Sequence, residues 1–292
     1  MPKNNFKNKK VVIMGLGKYR NGSGISAALF FARKNARVLV TDLRAKSEFA
    51  KQIEKLKKYS NVKYVFGRHR KNDFKKANAV FRNPSVPKNS PFLKIARAND
   101  AAVINDWTLF LTQRPDNLLI GITGSKGKSS MASLIYEILK AAGQDAALCG
   151  NIGKSPLAIL KKIKKETIVV AELSSWLLQE FAGIKKSPKI SVITNLMPDH
   201  LDKYENLKEY YGDKENIFKF QTPQDAVILN KDDANLRKMA KKARSRVVWF
   251  SGRKKYGAAL AIANILKIPK RIALKTIKSF GGLPHRLEFI RE

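Results

Sequence analysis

One segment of the sequence has the residue types and the spacing of a phosphate-binding loop. It follows an apolar strand candidate, Leu118–Ile122, and opens a helical pattern, which is the context that such a loop requires. Its glycines would let backbone N–H groups close around phosphate oxygens, and the helix amino terminus adds partial positive charge. Lys128 can reach the β- and γ-phosphates of a nucleotide, and the Ser129 hydroxyl can bind Mg²⁺. The segment consists of Thr123, Gly124, Ser125, Lys126, Gly127, Lys128, Ser129 and Ser130.

Two other candidate side chains follow predicted strands. Glu172 comes directly after the strand candidate Thr167–Ala171, and His200, one of three histidines, lies a few residues after Ile190–Thr194. The carboxyl ends of parallel strands form the ligand-binding edge of a sheet, so Glu172 can hold the Mg²⁺ beside the phosphate loop. His200 is a candidate metal ligand at the same edge, and a solvated or capping histidine is the alternative.

A second glycine turn, Gly15–Gly17, follows the strand candidate Val11–Met14. It is not a complete dinucleotide fingerprint, because Arg20 occupies the position of the third glycine. A mononucleotide diphosphate therefore fits this turn better than a dinucleotide does. Asp42 comes after the second strand candidate, Val38–Thr41, where it suits a contact with ribose or uracil.

These residues need a scaffold, and the sequence predicts one by alternating short apolar runs with helical patterns. Because several runs are apolar throughout, they suit parallel strands that are covered on both faces. We predict an α/β protein with a Rossmann-like amino-terminal domain, residues 1–106, followed by a P-loop-type central domain with a parallel sheet, residues 107–282. The remaining strand candidates are Ala79–Phe81, Ala226–Leu229 and Val247–Phe250, and the helix candidates are Gly24–Asn35, Ser129–Ala142 and Leu207–Phe220.

The composition indicates a globular chain in a reducing compartment. Of 292 residues 44% are apolar and 28% charged, and Cys149 is the single cysteine, which excludes an internal disulfide. With no apolar segment of membrane-spanning length and no signal peptide, we expect a soluble cytoplasmic protein. We also expect a monomer. The net charge of +35 suggests a nucleic-acid partner, but the lysines are dispersed along the chain. A generally basic surface is therefore the preferred interpretation.

The motifs, taken in order, resemble the Mur ligases, and most closely those that add D-glutamate to UDP-N-acetylmuramoyl-L-alanine. The resemblance runs from Gly15 to Glu288. It is carried by Gly15–Gly17, Asn83-Pro84-Ser85-Val86-Pro87, Thr123–Ser130, Gly150-Asn151-Ile152-Gly153, Glu172–Trp176, Asp199–Asp202, Lys214, Asn230–Ala234 and Gly282–Arg286. It implies an ATP- and Mg²⁺-dependent ligase of peptidoglycan precursor synthesis that forms an acyl phosphate on the substrate carboxylate.

The resemblance also implies a role for each matched residue. Lys128, His200 and Lys214 would be catalytic, and the loop Thr123–Ser130 would bind ATP. Ser129 and Glu172 would ligate one Mg²⁺, while His200 would lie near a second one. Lys214 would hold that second metal as a carbamate, although one more surface lysine is the alternative from spacing alone. Substrate binding would fall to Gly15, Leu16, Gly17, Asp42, Arg44 and Asn83 around UDP, and to Asn151 at the muramoyl end.

The sequence departs from the family pattern at several places. Lys126 replaces an asparagine in the phosphate loop, Ser85 replaces a glycine, and Lys254, Lys255 and Ala258 replace residues near the adenine. The family continues with a third α/β domain after Leu-Pro-His-Arg, so residues 283–292 would be its start, and the chain looks truncated. We therefore expect this chain to bind the UDP substrate but to ligate D-glutamate feebly.

Three other functions stay open at this point. The chain could be an inactive UDP-sugar- or nucleotide-binding Mur-like protein, another Mur- or folylpolyglutamate-type ligase, or a basic nucleic-acid-binding protein. The short glycine turn and Gly282-Leu283-Pro284-His285-Arg286 favour the D-glutamate enzyme.

Overall fold

The computed structural model describes residues 5–199, 204–253 and 256–282. By their contacts these residues divide into two compact units. The first unit holds the residues up to Pro115 together with Gly153–Lys161, and the second holds Asp116–Ile152 together with the residues from Lys162 onward. The predicted boundary at residue 106 and the function of each part stay predictions.

The first unit is built on a five-stranded parallel sheet with the order β3-β2-β1-β4-β5. Because the strand order reverses between β1 and β4, a crevice opens at the carboxyl ends of these two strands, where α/β sheets bind ligands. The strands are β1 Lys10–Met14, β2 Arg37–Asp42, β3 Val62–Phe66, β4 Ala79–Arg82 and β5 Ala102–Ile104. The helices are α1 Ser23–Arg33, α2 Ala50–Leu56, α3 Lys71–Lys75, α4 Pro91–Arg97, α5 Asp106–Gln113 and α7 Pro156–Ile159.

The second unit is built on a six-stranded parallel sheet with the order β11-β10-β9-β6-β8-β7. Strand β6 lies between β8 and β9, so the loop that follows β6 is flanked by the ends of both neighbours. The strands are β6 Leu119–Thr123, β7 Ala146–Gly150, β8 Ile168–Glu172, β9 Ile190–Ile193, β10 Ala226–Asn230 and β11 Arg246–Phe250. The helices are α6 Lys128–Ala141, α8 Ser175–Ile184, α9 Leu207–Glu215, α10 Ala234–Ala240, α11 Gly257–Ile265 and α12 Lys270–Ser279.

Apolar packing fixes the central strands. Strands β6 and β8 are buried at every position, as parallel strands covered on both faces must be. One face of the second sheet packs against α6, α11 and α12 through a continuous cluster of aliphatic side chains. Within the first unit, a similar cluster joins β1, β4 and the helices α3 and α4.

A buried carboxylate ties three helices of the first unit together. The Oδ2 atom of Asp106, at the start of α5, accepts hydrogen bonds from Ser23 Oγ of α1 at 2.6 Å and from Ser155 Oγ before α7 at 2.9 Å. Burial raises the pKa of Asp106 to about 6, although the two serine hydrogen bonds act in the opposite direction. This contact holds Gly153–Lys161 within the first unit although the segment is far away in sequence.

The predicted α/β class with two parallel sheets is confirmed, and all eight predicted strands form. The helix prediction Leu207–Phe220 extended furthest beyond the observed helix. Helix α9 ends at Glu215, not at Phe220, because the chain continues in tight turns in which Ile217 N donates to Lys214 O and Phe218 N to Glu215 O.

Candidate functional site

The predicted phosphate loop lies between β6 and α6, and its glycines adopt backbone conformations that other residues avoid. Gly124 has φ +147° and Gly127, the residue before α6, has φ +79°. A Cβ on Gly124 would collide with the Thr194 side chain at the end of β9. The loop is therefore bent tightly against the end of the neighbouring strand, and its last residues lead into the amino terminus of α6.

Two lysine ammonium groups converge on one carbonyl of this loop. Lys128 Nζ donates to Gly124 O at 3.0 Å and to Ser125 O at 2.7 Å. Lys214 Nζ, from α9, donates to the same Gly124 O at 2.8 Å. The structure thus brings Lys214 to the phosphate loop, 90 residues away in sequence from Gly124.

Lys214 is 1% exposed, which rules out the alternative of a surface lysine. Burial and the nearby Lys128 charge lower its pKa to about 7, although Asp199 and Asp213 act in the opposite direction. The Nζ atom also lies 4.6 Å from the centre of the Tyr210 ring. An amine with such a pKa is substantially neutral near pH 7 and is therefore nucleophilic, unlike an ordinary lysine.

Glu172 ends β8 beside the loop and is 1% exposed. Its Oε1 atom accepts a hydrogen bond from Asn151 Nδ2 at 3.2 Å, while its Oε2 atom is buried without a hydrogen-bond partner among the described residues. The Thr123 hydroxyl, at the end of β6, is likewise buried and unpartnered there. Since an unpaired buried carboxylate oxygen is costly, these atoms fit a bound cation with oxygen ligands.

The predicted metal ligands are only partly placed. Ser129 lies in the first turn of α6, and Glu172 and Lys214 lie beside the same loop, but His200 falls outside the described residues. In the described part of the chain, no three His, Cys, Asp or Glu side chains form a cluster suited to a metal. Of the predicted ligands, Glu172 is the one carboxylate that this part supplies.

The predicted substrate turn of the first unit follows β1 and is held by side chains from the ends of two neighbouring strands, β2 and β4. Asn83, after β4, donates from Nδ2 to Gly15 O at 3.1 Å, and a Cβ on Gly15 would lie 2.9 Å from Asn83 Cβ. Asn83 Oδ1 also accepts from Ser85 N and Ser85 Oγ, so Ser85 adds a hydroxyl to this network. Gly15 and Gly17 have φ +88° and +82°, a region that glycine tolerates best.

Asp42 is occupied by contacts within the turn. Its Oδ2 accepts from Leu16 N at 2.9 Å and from Arg44 Nη2 at 3.1 Å, and its Oδ1 accepts from Arg44 N and Nε. Burial raises the pKa of Asp42, but these hydrogen bonds and the Arg44 charge outweigh burial and leave it below its usual value. The carboxylate stays ionised and fixes both the turn and the Arg44 guanidinium.

Two further residues discussed in the sequence analysis, Asn151 and Ala258, lie in the second unit. Asn151, predicted at the muramoyl end of a substrate, is bonded to Glu172 in the second unit. Ala258 is fully buried in the apolar cluster beneath α11, so its side chain faces the core, and Lys254 and Lys255 lie outside the described residues. Sequence analysis missed Thr194 and Asn195, although two polar residues directly after a buried strand are a recognisable signal.

Within the described residues, no helix combines the length and the apolar character needed to cross a membrane.

Two family profiles match the sequence in succession. The profile described as "Mur ligase MurD-like, N-terminal domain" matches residues 9–105, and the profile "Mur ligase middle domain" matches residues 122–283.

Two curated relatives share one name, that of a ligase for UDP-N-acetylmuramoylalanine and D-glutamate. The UDP-N-acetylmuramoylalanine–D-glutamate ligase of Borreliella afzelii (strain PKo) is 33% identical over 98% of this chain, which spans 69% of that protein. The protein of the same name from Roseiflexus sp. (strain RS-1) is 39% identical over 83% of this chain, and the match covers 52% of that protein.

Among solved structures, UDP-N-acetylmuramate:L-alanyl-gamma-D-glutamyl-meso-diaminopimelate ligase from Neisseria meningitides superimposes with a TM-score of 0.68. It is 14% identical, and the match covers 95% of this chain and all of that one. UDP-N-acetylmuramate-alanine ligase from Thermotoga maritima gives a TM-score of 0.58 at 18% identity, covering 98% of this chain and 71% of that one. At these identities the structures show a shared fold.

Proposed function

Because this chain belongs to the Mur ligase family, we propose that it acts in the ATP-dependent addition of D-glutamate to UDP-N-acetylmuramoyl-L-alanine. The second unit binds ATP with Mg²⁺, and the first unit binds the UDP moiety. The substrate carboxylate takes the γ-phosphoryl group and ADP leaves. The amino group of D-glutamate then attacks the acyl carbon, which releases phosphate and a proton and leaves an amide.

The arrangement at Gly124 is the observation that carries this proposal. Two lysines meet at one loop carbonyl, and Lys214 is buried with its pKa lowered to about 7. A phosphate loop alone would fit many nucleotide-binding proteins. A buried lysine beside the loop is more specific, because its nucleophilic amine can form a carbamate. As a carbamate, Lys214 would change from a cation to an anion beside the loop.

The remaining residues of the second unit bind and orient. Lys128 offsets phosphate charge, and the first turn of α6 offers N–H groups that a helix does not satisfy internally. Ser129 and Glu172 are the proposed Mg²⁺ ligands. When it is bound, Mg²⁺ neutralises the charge that develops on the transferring phosphoryl group.

In the first unit, the proposed UDP site is the Gly15–Gly17 turn with Asn83, Asp42 and Arg44. Asp42 acts there as a positioning group, because its oxygens accept from Leu16 and Arg44. Arg44 lies partly exposed with a side-chain accessibility of 29% and supplies the positive charge. A diphosphate suits a glycine turn next to a fixed guanidinium.

Trapping of the acyl phosphate with hydroxylamine tests the proposed reaction without requiring the amino-acid partner. The purified chain is incubated with ATP, Mg²⁺, hydroxylamine and one carboxylate at a time, and hydroxamate and ADP are measured. The panel contains UDP-N-acetylmuramate, UDP-N-acetylmuramoyl-L-alanine, its D-glutamyl product and a folate. We expect hydroxamate from UDP-N-acetylmuramoyl-L-alanine alone.

Each other result selects a different function. Hydroxamate from another member of the panel would assign the chain to a different ligase of the same type. Binding of UDP-N-acetylmuramoyl-L-alanine and ATP without any hydroxamate or ADP would identify an inactive binding protein and would overturn the proposed reaction.

A further inference from the structure

The main chain of Lys126, in the middle of the phosphate loop, is bonded at both its N–H and its C=O by one asparagine side chain. Lys126 N donates to Asn195 Oδ1 at 2.9 Å, and Asn195 Nδ2 donates to Lys126 O at 3.0 Å. The main chain of Asn195 adds a third bond, because Ser125 N donates to Asn195 O at 3.0 Å. A side-chain amide that pairs with both the N–H and the C=O of one residue imitates a strand partner, so it restrains the two peptide groups on either side of the Lys126 Cα.

The same arrangement decides which loop N–H groups can face a phosphate. The N–H groups of Ser125 and Lys126 both point to Asn195. An anion at this loop would therefore be bound by the N–H groups that follow them in the chain, those of Gly127 and the first turn of α6. The two hydrogen bonds between the Asn195 side chain and Lys126, called here the Asn195 clamp, orient the loop. In this orientation the amino terminus of α6 faces the ligand.

The segment that carries Asn195 is anchored at each of its next two residues. Leu196 N donates to Asp233 Oδ2 at 2.7 Å, and the other Asp233 oxygen caps the start of α10. Met197 N donates to Ser125 Oγ at 2.9 Å, and the Ser125 hydroxyl donates to Met197 O at 2.8 Å. Asn195 thus acts from a fixed segment, and the same segment leads directly to Asp199.

We propose that Asn195 is a positioning residue for the nucleotide phosphates, which holds the loop in its binding conformation before the nucleotide arrives. This inference rests on the proposed function, since it assumes that the loop binds ATP. Without the clamp, the Lys126 N–H loses its partner and Lys126 O keeps the bond from Thr194 Oγ1 at 2.7 Å. The peptide group before Lys126 then gains freedom, and nucleotide binding must include the entropic cost of ordering it.

The test compares two asparagine-to-alanine variants of the 292-residue chain. Asn195→Ala removes the clamp after β9. Asn117→Ala is the matched control, because Asn117 Nδ2 also bonds loop carbonyls, those of Lys164, Lys165 and Thr167, but it does so before β6, at the opposite edge of the same sheet. Calorimetry measures the dissociation constants of MgADP and of UDP, and thermal unfolding measures stability.

We expect Asn195→Ala to weaken MgADP binding by about ten- to a hundredfold, as the loss of two ordinary hydrogen bonds implies. Its UDP affinity should stay unchanged, because the proposed UDP site lies in the other unit. Asn117→Ala should lower stability and leave the MgADP affinity within about twofold of the parent. If Asn195→Ala does not fold, Asn195→Ser, whose shorter side chain cannot reach both groups, takes its place.

Equal MgADP affinity in the parent and the Asn195 variant would overturn the inference. So would an equal loss in both variants, since affinity would then follow stability and not the clamp. A parent chain that binds UDP but no MgADP would overturn the proposed nucleotide site and this inference with it. If the inference alone is wrong, the parent chain binds MgADP and the Asn195 variant binds it equally well.

Discussion

At the scale of single residues, Glu172 leads to the most specific prediction. Its Oε2 atom is buried without a hydrogen-bond partner among the described residues. If this oxygen ligates Mg²⁺, then Mg²⁺ should tighten ADP binding in the parent chain, and Glu172→Gln should lose about tenfold or more of that gain. Glu166→Gln is the control, because Glu166 is exposed and precedes the same strand at its other end. Calorimetry with and without Mg²⁺ measures the effect, and an unchanged response in Glu172→Gln would remove the residue from the metal site.

Lys214 leads to a prediction about pH. Carbamates form from neutral amines, and the pKa of Lys214 is lowered from 10.5 to about 7. The neutral fraction therefore rises as the pH passes through about 7, whereas an ordinary lysine is about one part in a thousand neutral near pH 7.5. With ¹³C-labelled bicarbonate, we expect one protein carbamate signal that grows between pH 6 and pH 8 and is missing in Lys214→Arg. A signal that survives this substitution would place the carbamate elsewhere.

At the scale of elements, the contact between α1 and the glycine turn of the first unit depends on Gly24. A Cβ on Gly24 would lie 2.5 Å from Leu16 O and still closer to Gly15 O. Gly24→Ala should therefore push the helix from the turn, lower the free energy of unfolding by about 1–3 kcal/mol, and weaken UDP binding. Gly183, inside α8, has nothing near its missing Cβ, so Gly183→Ala should stabilise the protein by about 0.5–1 kcal/mol. Urea denaturation measures the free energy of unfolding of both variants. An unchanged value for Gly24→Ala would mean that the helix does not need this close approach.

At the scale of the whole molecule, the net charge of +35 dominates. Such a charge repels itself in the compact state, and salt screens the repulsion because the Debye length falls from about 30 Å at 0.01 M to about 8 Å at 0.15 M. We expect the melting temperature to rise by on the order of a few degrees when NaCl increases over this range. The association rate of UDP-sugar substrates should fall over the same range. A melting temperature that stays constant or declines would show that local ion pairing offsets the net charge.

The sequence by itself determined the elements whose signals are local. Buried central strands such as β6 and β8 are continuous apolar runs, so they were found, as were both glycine turns and the phosphate loop. Three strands were missed, and each lies at an edge of its sheet: β3, β5 and β7. Two of them lack the continuous apolar run that identifies a central strand, since β3 carries the exposed Lys63 and β5 is three residues long. The edge strand β11 has such a run and was predicted.

Only the tertiary structure decided the surroundings of Lys214 and Asn195. In the sequence, Lys214 is one of 58 basic residues, and nothing local distinguishes it. Its burial, its lowered pKa and its bond to Gly124 arise because α9 packs next to the loop of a distant strand. Asn195 acquires its contacts in the same way, since β9 pairs with β6 and so places the residue beside Lys126. A propensity or a spacing reports on neighbours in the chain, whereas desolvation and hydrogen-bond partners depend on neighbours in space.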